Sequence, residues 1–402
     1  MSTSVGIIGL GPIGKNLVLN VEEKHDVHIF NRTHSKVREV VDATCNVHGY
    51  ITMTDMMCSM KHPRTIISTL PHGHVTDEVM NNVLTLAQPG DTFVDCANEQ
   101  YKTSRDRYAR CRVRGVNYLG VGLSGGANGA RTGPALMIGG DQKVFDQHED
   151  LFNSFCKNVA YMGNDAGIGH FTKMVHNGVE YGMLQAIADV YAYCNQEDAM
   201  MKKVLDMVPN TDLDGYLTRS ARDVVDMYDI SKISDTAAMN NTGLWCSGVA
   251  AEYGVPVPVM NAAINARVTS CYIKHIHPMT RRNTSRAVST AVSALRFAYA
   301  YSIIEGFNVM ETQRVSRDAT KKAWSEGTIV DCGMIKKNCH KILDETYMEA
   351  RVFVLHCVSS GIPCPAIQAA VTQYDFTHQT RTSMSFLMAQ RNYFGQHSLI
   401  EV

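Results

Sequence analysis

Val5-Gly6-Ile7-Ile8-Gly9-Leu10-Gly11-Pro12-Ile13-Gly14 opens the chain, and Lys15-Asn16-Leu17-Val18-Leu19-Asn20 follows in a helical pattern. The first four residues read as a short buried strand. G-x-G-x-x-G after a strand and before a helix is the setting in which this spacing binds a dinucleotide. Gly9 allows the tight turn, Gly11 lets the backbone approach a pyrophosphate, and Gly14 lets the helix pack on the sheet. Leu10, Pro12 and Ile13 complete the turn, and the helix start offers free N–H groups to the phosphates. The next strand, Val27-His28-Ile29-Phe30, ends in Asn31-Arg32-Thr33. A carboxylate at that position would take the ribose hydroxyls of NAD. An amide, an arginine and a hydroxyl instead suit a 2′-phosphate, so the expected cofactor is NADP.

Further strands are expected at Thr65–Ser68, Thr92–Asp95 and Asn117–Val121, with helical patterns between them. That alternation predicts a doubly wound, Rossmann-type parallel sheet with its ligands beyond the C-terminal strand ends. Two of those ends carry polar or glycine-rich loops, Cys96-Ala97-Asn98-Glu99 and Ser124-Gly125-Gly126-Ala127-Asn128-Gly129-Ala130-Arg131. After Gly163-Asn164-Asp165-Ala166 the strand pattern fades. Long helical patterns follow at roughly 169–195, 244–272, 286–310 and 338–360, interrupted by turn signals such as Gly254-Val255-Pro256-Val257-Pro258. The fold class expected is α/β: a nucleotide-binding Rossmann-like domain over 1–166, then an all-α domain over 167–402 for substrate binding and dimerisation. Substrate would lie at their junction.

The first long helix carries Lys173, His176, Asn177, Glu180 and Tyr181 at i, i+3, i+4, i+7 and i+8. Those positions share one helix face. A lysine, an imidazole, an amide, a carboxylate and a phenol in one stripe can bind a polyhydroxylated acid and move its protons. An ordinary solvated face is the plain alternative. Gly178 and Gly182 argue against it, because each costs about 1 kcal/mol relative to alanine inside a helix. Glycine there suits close approach by another element.

Composition narrows the class. Net charge is -1, so nothing electrostatic points to nucleic acid or an anionic membrane surface. Pairs such as Arg281-Arg282 read as solvated surface. No apolar run approaches the ~18 residues that span a bilayer. Met1-Ser2-Thr3-Ser4 runs straight into the first strand, without the pattern of a secretory signal. Twelve scattered cysteines form neither C-x-x-C nor a zinc-like spacing, so we expect reduced thiols in the cytoplasm and no metal. The 22 methionines fit core packing.

From Val5 to about His397 the chain resembles the 6-phosphogluconate dehydrogenase family, NADP-dependent decarboxylating enzymes of the pentose phosphate pathway. The resemblance rests on the glycine turn with Asn31-Arg32-Thr33, on Ser124-Gly125-Gly126 with Gly129-Ala130-Arg131, and above all on 169–182. It continues in Thr242-Gly243-Leu244-Trp245, Glu252-Tyr253-Gly254-Val255-Pro256-Val257 and Gln390-Arg391-Asn392-Tyr393-Phe394-Gly395-Gln396-His397. It implies Lys173 as catalytic base and Glu180 as acid. It implies that Asn98, Ser124, Gly125, Gly126, His176 and Asn177 hold the sugar acid, and that Tyr181, Thr242 and Arg267 hold its phosphate. Arg391 and His397 match residues that reach into a partner subunit's site, which implies a homodimer. The chemistry suits the residues. A lysine is a base only when neutral, so Lys173 needs a depressed pKa. As an ammonium it would then assist loss of CO2, with no metal required.

Departures from the family pattern are specific. A phosphate-site lysine is Asn240 here, and the lysine before the tryptophan is Leu244. Gly-Gly before the substrate asparagine is Cys96-Ala97, and the glutamate pair after Ser-Gly-Gly is Ala127-Asn128. Trp324-Ser325-Glu326-Gly327-Thr328-Ile329-Val330-Asp331 lacks two family arginines, Pro71 replaces a lysine, and a Gly/Thr-rich tail is missing after Val402. Losing one phosphate-site lysine costs ~1–3 kcal/mol. The expected activity is oxidative decarboxylation of 6-phosphogluconate to ribulose 5-phosphate. The alternatives are a related β-hydroxyacid dehydrogenase acting on another acid, and a non-catalytic protein that keeps the fold.

Overall fold

The computed structural model describes residues 4–272 and 286–396. Eight strands lie among them: β1 (Ser4–Ile8), β2 (Asp26–Phe30), β3 (Val47–Tyr50), β4 (Thr65–Ser68), β5 (Thr92–Asp95), β6 (Asn117–Ser124), β7 (Ala135–Gly140) and β8 (Asn158–Gly163). They form one sheet in the order β3-β2-β1-β4-β5-β6-β7-β8. Val5 pairs with Val27 on one side and Thr65 on the other, which places the topological switch at β1. The connecting helices are α1 (Pro12–Val21), α2 (His34–Val41), α3 (Met53–Ser59), α4 (His74–Leu86), α5 (Tyr101–Val113), α6 (Gly126–Thr132) and α7 (Gln142–Phe155). Val5, Ile7, Val27, Ile29, Ile66, Ile67, Phe93 and Val94 are all buried, as strands covered on both faces require.

The sheet is not parallel throughout. β7 runs antiparallel to β6, pairing Leu119 with Gly140 and Ser124 with Ala135. The connection 125–134 is shorter than the dozen or so residues a parallel crossover needs. The stretch expected to be a glycine-rich loop is mostly helix α6, which packs on α1. Asn20 donates to the Ala130 carbonyl at 3.0 Å, and Arg131 donates to the Leu19 carbonyl at 2.9 Å.

Ten helices follow among the described residues. They are α8 (Ile168–Tyr193), α9 (Asp198–Asp206), α10 (Tyr216–Met227), α11 (Thr242–Glu252), α12 (Pro258–Tyr272), α13 (Val288–Glu311), α14 (Arg317–Trp324), α15 (Cys339–Ser360), α16 (Pro365–Thr377) and α17 (Met384–Gly395). The pattern read over 244–272 is broken into α11 and α12, with Gly254 at φ +68° ending the first. α8 is the axis of this half: it packs on α11, α12, α13 and α16, and its first turns lie on β6 and β7. Its seat on the sheet depends on missing side chains. A Cβ at Gly122 would sit 2.4 Å from Lys173 Cβ, and one at Gly169 would sit 2.2 Å from the Gly120 carbonyl. Gly178 and Gly182 do the same for the helices, facing Cys246 and Ser302 at 2.8 and 2.6 Å from a built Cβ.

Candidate active site

β1, β4, β5 and β6 run parallel, so their C-terminal ends share one edge. That edge carries the turn 9–14, the loop after β4, the loop 96–99, and Ser124. Gly9 has φ +99°, and a Cβ on Gly14 would lie 2.0 Å from the Gly9 carbonyl oxygen, so both glycines are needed to close the turn. No atom comes within 4 Å of a Cβ built on Gly11, and no side chain caps α1. Open space above uncapped helical N–H groups fits a pyrophosphate. Asn31 accepts from Leu10 N at 3.0 Å and donates to the Thr33 carbonyl at 3.1 Å, so it braces the turn. Arg32 is exposed beside it, free of any ion pair to the described residues.

The loop after β5 hangs on a network that has no sequence motif. Arg107, fully buried on α5, meets Asp95 at 2.8 Å, Asp77 at 3.0 Å and Glu99 at 2.8 Å. Glu99 accepts from Gly73 N at 2.7 Å, tying the loops after β4 and β5 together. Asn98 is left exposed between them, without a hydrogen bond to the lysine cluster. Across the cleft, His72 meets the edge of Trp245 on α11 at 5.3 Å.

The polar stripe of α8 is buried, not solvated: His176 is 0% exposed, Asn177 4%, Tyr181 4% and Lys173 7%. Burial pushes the Lys173 ammonium down to about 8, although nearby Glu180 raises it. Burial raises the Glu180 carboxyl, opposed by Lys173 and Arg267, and drives the His176 imidazole well below its usual range. His176 is therefore neutral near pH 7, and the lysine is poised between its two forms.

The hydrogen bonds around these groups have one consistent direction. Thr242 N donates to Asn240 Oδ1 at 3.2 Å, which identifies that atom as oxygen. Thr242 Oγ1 must then donate to it and accept from Asn177 Nδ2 at 3.0 Å. Asn177 Oδ1 faces His176 Nδ1 at 3.1 Å, an arrangement that suits a proton on Nδ1, and Lys173 Nζ, 3.4 Å from the same nitrogen, can then pair with it only as the neutral amine. His176 Nε2 accepts from Ser124 Oγ at 3.2 Å. Ser124 in turn accepts from Lys173 Nζ at 3.2 Å and Ile329 N at 3.3 Å. Thr242 thereby connects to Lys173 through Asn177, His176 and Ser124.

Gly125, at φ +113°, turns the chain after Ser124; a Cβ there would meet the Gly327 carbonyl at 2.9 Å. Gly126 borders open space. Trp324, fully buried, presents an edge contact to His176 at 6.4 Å. Arg267 lies over the Tyr181 ring at 3.8 Å and donates to the Ala238 carbonyl at 3.3 Å. The structure thus brings together Ser124, Lys173, His176, Asn177, Glu180, Tyr181, Thr242 and Arg267. Arg391 stands apart, exposed on α17, with Nη1 3.8 Å from Met388 Sδ. His397 lies outside the described residues. Ile329 N and Arg107 were not expected in these roles. One is a backbone group, and the other is a cation within a charged helix.

A dinucleotide turn on the same sheet edge as a buried lysine–carboxylate helix defines a nicotinamide-dependent dehydrogenase with a Rossmann-type half and a helical half. Residues 4–163 match the NAD binding domain of 6-phosphogluconate dehydrogenase, and residues 169–337 and 314–402 match its C-terminal domain. The chain belongs to the 6-phosphogluconate dehydrogenase family. It is 30% identical over 448 residues to the decarboxylating 6-phosphogluconate dehydrogenase of Drosophila simulans, covering 98% of this chain and 93% of that one. It is 29% identical to the enzyme of the same name from Lactococcus lactis subsp. lactis, covering 98% and 95%. The 6-phosphogluconate dehydrogenase structure from Plasmodium falciparum shares the fold at TM-score 0.89 and 24% identity, over 99% of this chain and 98% of that one.

Proposed function

We propose that the chain catalyses NADP-dependent oxidative decarboxylation of 6-phosphogluconate to ribulose 5-phosphate, CO2 and NADPH. The observation that carries this reading is Lys173, buried, held down to about 8, and hydrogen-bonded to a strand end on the edge that bears the dinucleotide turn. Gly9–Gly14, Arg32 and Thr33 would hold NADP, which would supply the hydride acceptor. Neutral Lys173 takes the C3 hydroxyl proton. As an ammonium it then donates to the C3 oxygen, stabilising the charge that develops as the C1–C2 bond breaks and CO2 leaves. Those electrons remain in an enediol. Glu180, whose affinity for a proton burial raises, delivers a proton to the carbon that lost CO2. Ser124, Gly125, Gly126, His176, Asn177 and Asn98 hold the acid, while Tyr181, Thr242 and Arg267 receive its far end.

In this reading 1–166 is the cofactor domain and 167–402 the substrate and dimerisation domain of a homodimer. Two surfaces support the dimer. α15 exposes Met348, Val352, Leu355 and Val358, and α17 has no buried residue while exposing Phe386, Tyr393 and Phe394. Arg391 and His397 would complete the partner's site. The twelve free thiols suit a reducing compartment, the cytoplasm.

The test is NADPH formation and CO2 release with 6-phosphogluconate, each measured beside unphosphorylated gluconate. Failure to form NADPH from either acid overturns the reading. Glu180→Gln should slow the final proton delivery most, leaving the first NADPH burst nearly intact.

A further inference from the structure

We propose that Asn240 is a specificity-determining residue. Its side-chain carbonyl occupies both hydroxyls at the far end of the substrate pocket, so an acid ending in phosphate is only weakly preferred over one ending in a hydroxyl. The inference rests on the aldonate-dehydrogenase reading of the site and names the substrate range of that pocket.

Asn240 Oδ1 accepts three donors: Thr242 N at 3.2 Å, the Tyr181 hydroxyl at 3.1 Å and the Thr242 hydroxyl. The Tyr181 hydroxyl also lies 3.4 Å from the Asn240 backbone oxygen. The nearby cation, Arg267, lies on the Tyr181 ring and donates to the Ala238 carbonyl. Both hydroxyls that could meet a terminal anion here are thus already engaged by Asn240, while Arg267 spends one of its N–H donors on the Ala238 carbonyl. Asn240 itself is exposed, so this end of the pocket opens to solvent.

A phosphate dianion only accepts. To bind the Tyr181 and Thr242 hydroxyls it must take their protons from Asn240, and it then faces the lone pairs of the abandoned Oδ1. A neutral terminal hydroxyl demands no protons from these groups and leaves the three bonds in place. The penalty therefore falls on the phosphorylated acid alone. The exposed Leu244 at the start of α11 brings no compensating charge.

Calorimetric binding of 6-phosphogluconate and of gluconate to the full chain, Asn240→Ala and Asn240→Lys decides the matter. Asn240 is exposed, so neither variant endangers folding. The unaltered chain should bind the two acids within about tenfold. Asn240→Ala frees the hydroxyls without adding charge and should move the ratio about threefold toward the phosphorylated acid. Asn240→Lys should move it by about ten- to a hundredfold, with gluconate unchanged, because hydrogen bonds to charged groups are the stronger kind. A parental preference beyond a thousandfold would overturn the proposal. So would variants that shift both acids alike or neither, or the absence of measurable binding in all three proteins. If no acid yields NADPH, the functional reading fails while the binding ratios still judge Asn240.

Discussion

Lys173 Nζ lies 3.2 Å from Ser124 Oγ, so the proposed base on the helical axis is held by the end of a strand in the sheet. The two halves are thereby joined at the atoms proposed to react. Burial lowers this lysine from 10.5 to about 8. Turnover should therefore rise about tenfold per pH unit below 8 and level off above it. Lys173→Arg keeps the charge but has no basic form near neutrality, so it should be inactive. Turnover by that variant within about tenfold of the parent, roughly 1.4 kcal/mol in barrier, removes Lys173 as the base. Lys173→Met should stabilise the fold at pH 7 by roughly 3 kcal/mol, given about 1.36 kcal/mol per pKa unit. The unfolded chain binds more protons between pH 8 and 10.5, so the penalty is full below 8 and shrinks as pH rises through that window. A pH series of denaturant melts checks the sign.

Much of this was legible because its causes are local. The turn 9–14 needs its glycines whatever surrounds it, and the stripe on α8 follows from helical spacing alone. The elements not anticipated depend on long-range packing. β3 is a short edge strand, and β7 is set by a connection too short for a crossover. The buried face of α5 is Tyr101, Ser104, Arg107 and Cys111, which lacks the apolar signature of a packed helix. Arg107 is recognisable only once Asp77, Asp95 and Glu99 surround it. Ile329 reaches Ser124 through its backbone, and a backbone group leaves no trace in residue identity.

Cofactor choice turns on the end of β2. Asn31 is occupied in bracing Leu10, which leaves Arg32 exposed to meet a 2′-phosphate. NADP should bind more tightly than NAD, and Arg32→Ala should erase most of the difference, about tenfold or more for a lost charged hydrogen bond. Fluorescence titration of both cofactors measures it. Equal affinities in the unaltered protein would sink the assignment.

Assembly is testable by complementation. α17 buries no residue of its own and carries Arg391 away from the Lys173 cluster, a placement that makes sense if the helix lies against a second copy. Mixed Lys173→Ala and Arg391→Ala chains should regain part of the activity that each lacks alone, since one hybrid site keeps both groups. Leu355→Asp, on the exposed face of α15, should weaken association in sedimentation experiments. A monomer with full activity at assay concentration rules the dimer out.

Two buried carboxyls cap helices in the helical half, and they should respond differently to amide substitution. Asp189 accepts Ala366 N at 2.8 Å and Ile367 N at 3.0 Å on the same oxygen at the start of α16. Glu305 accepts Val259 N at 2.7 Å and Met260 N at 3.0 Å on separate oxygens at the start of α12. Burial pushes Asp189 up to about 7 and Glu305 up to about 8. Both pKa values lie above those of the unfolded chain, so each group's contribution is fully present below the unfolded pKa. It is lost progressively as pH rises from about 4 to about 7 for Asp189 and from about 4 to about 8 for Glu305. Asp189→Asn keeps the one oxygen that both N–H groups use, and Gln185 can turn its amide to suit, so the change should cost little at pH 6. It should stabilise the protein above pH 8. Glu305→Gln leaves one N–H facing an NH2 group, and an orphaned buried donor costs about 1–3 kcal/mol. Denaturant melts of both variants at pH 6 and pH 9 separate these outcomes. Equal cost for the two substitutions at pH 6 would show that the split between one oxygen and two does not govern the caps.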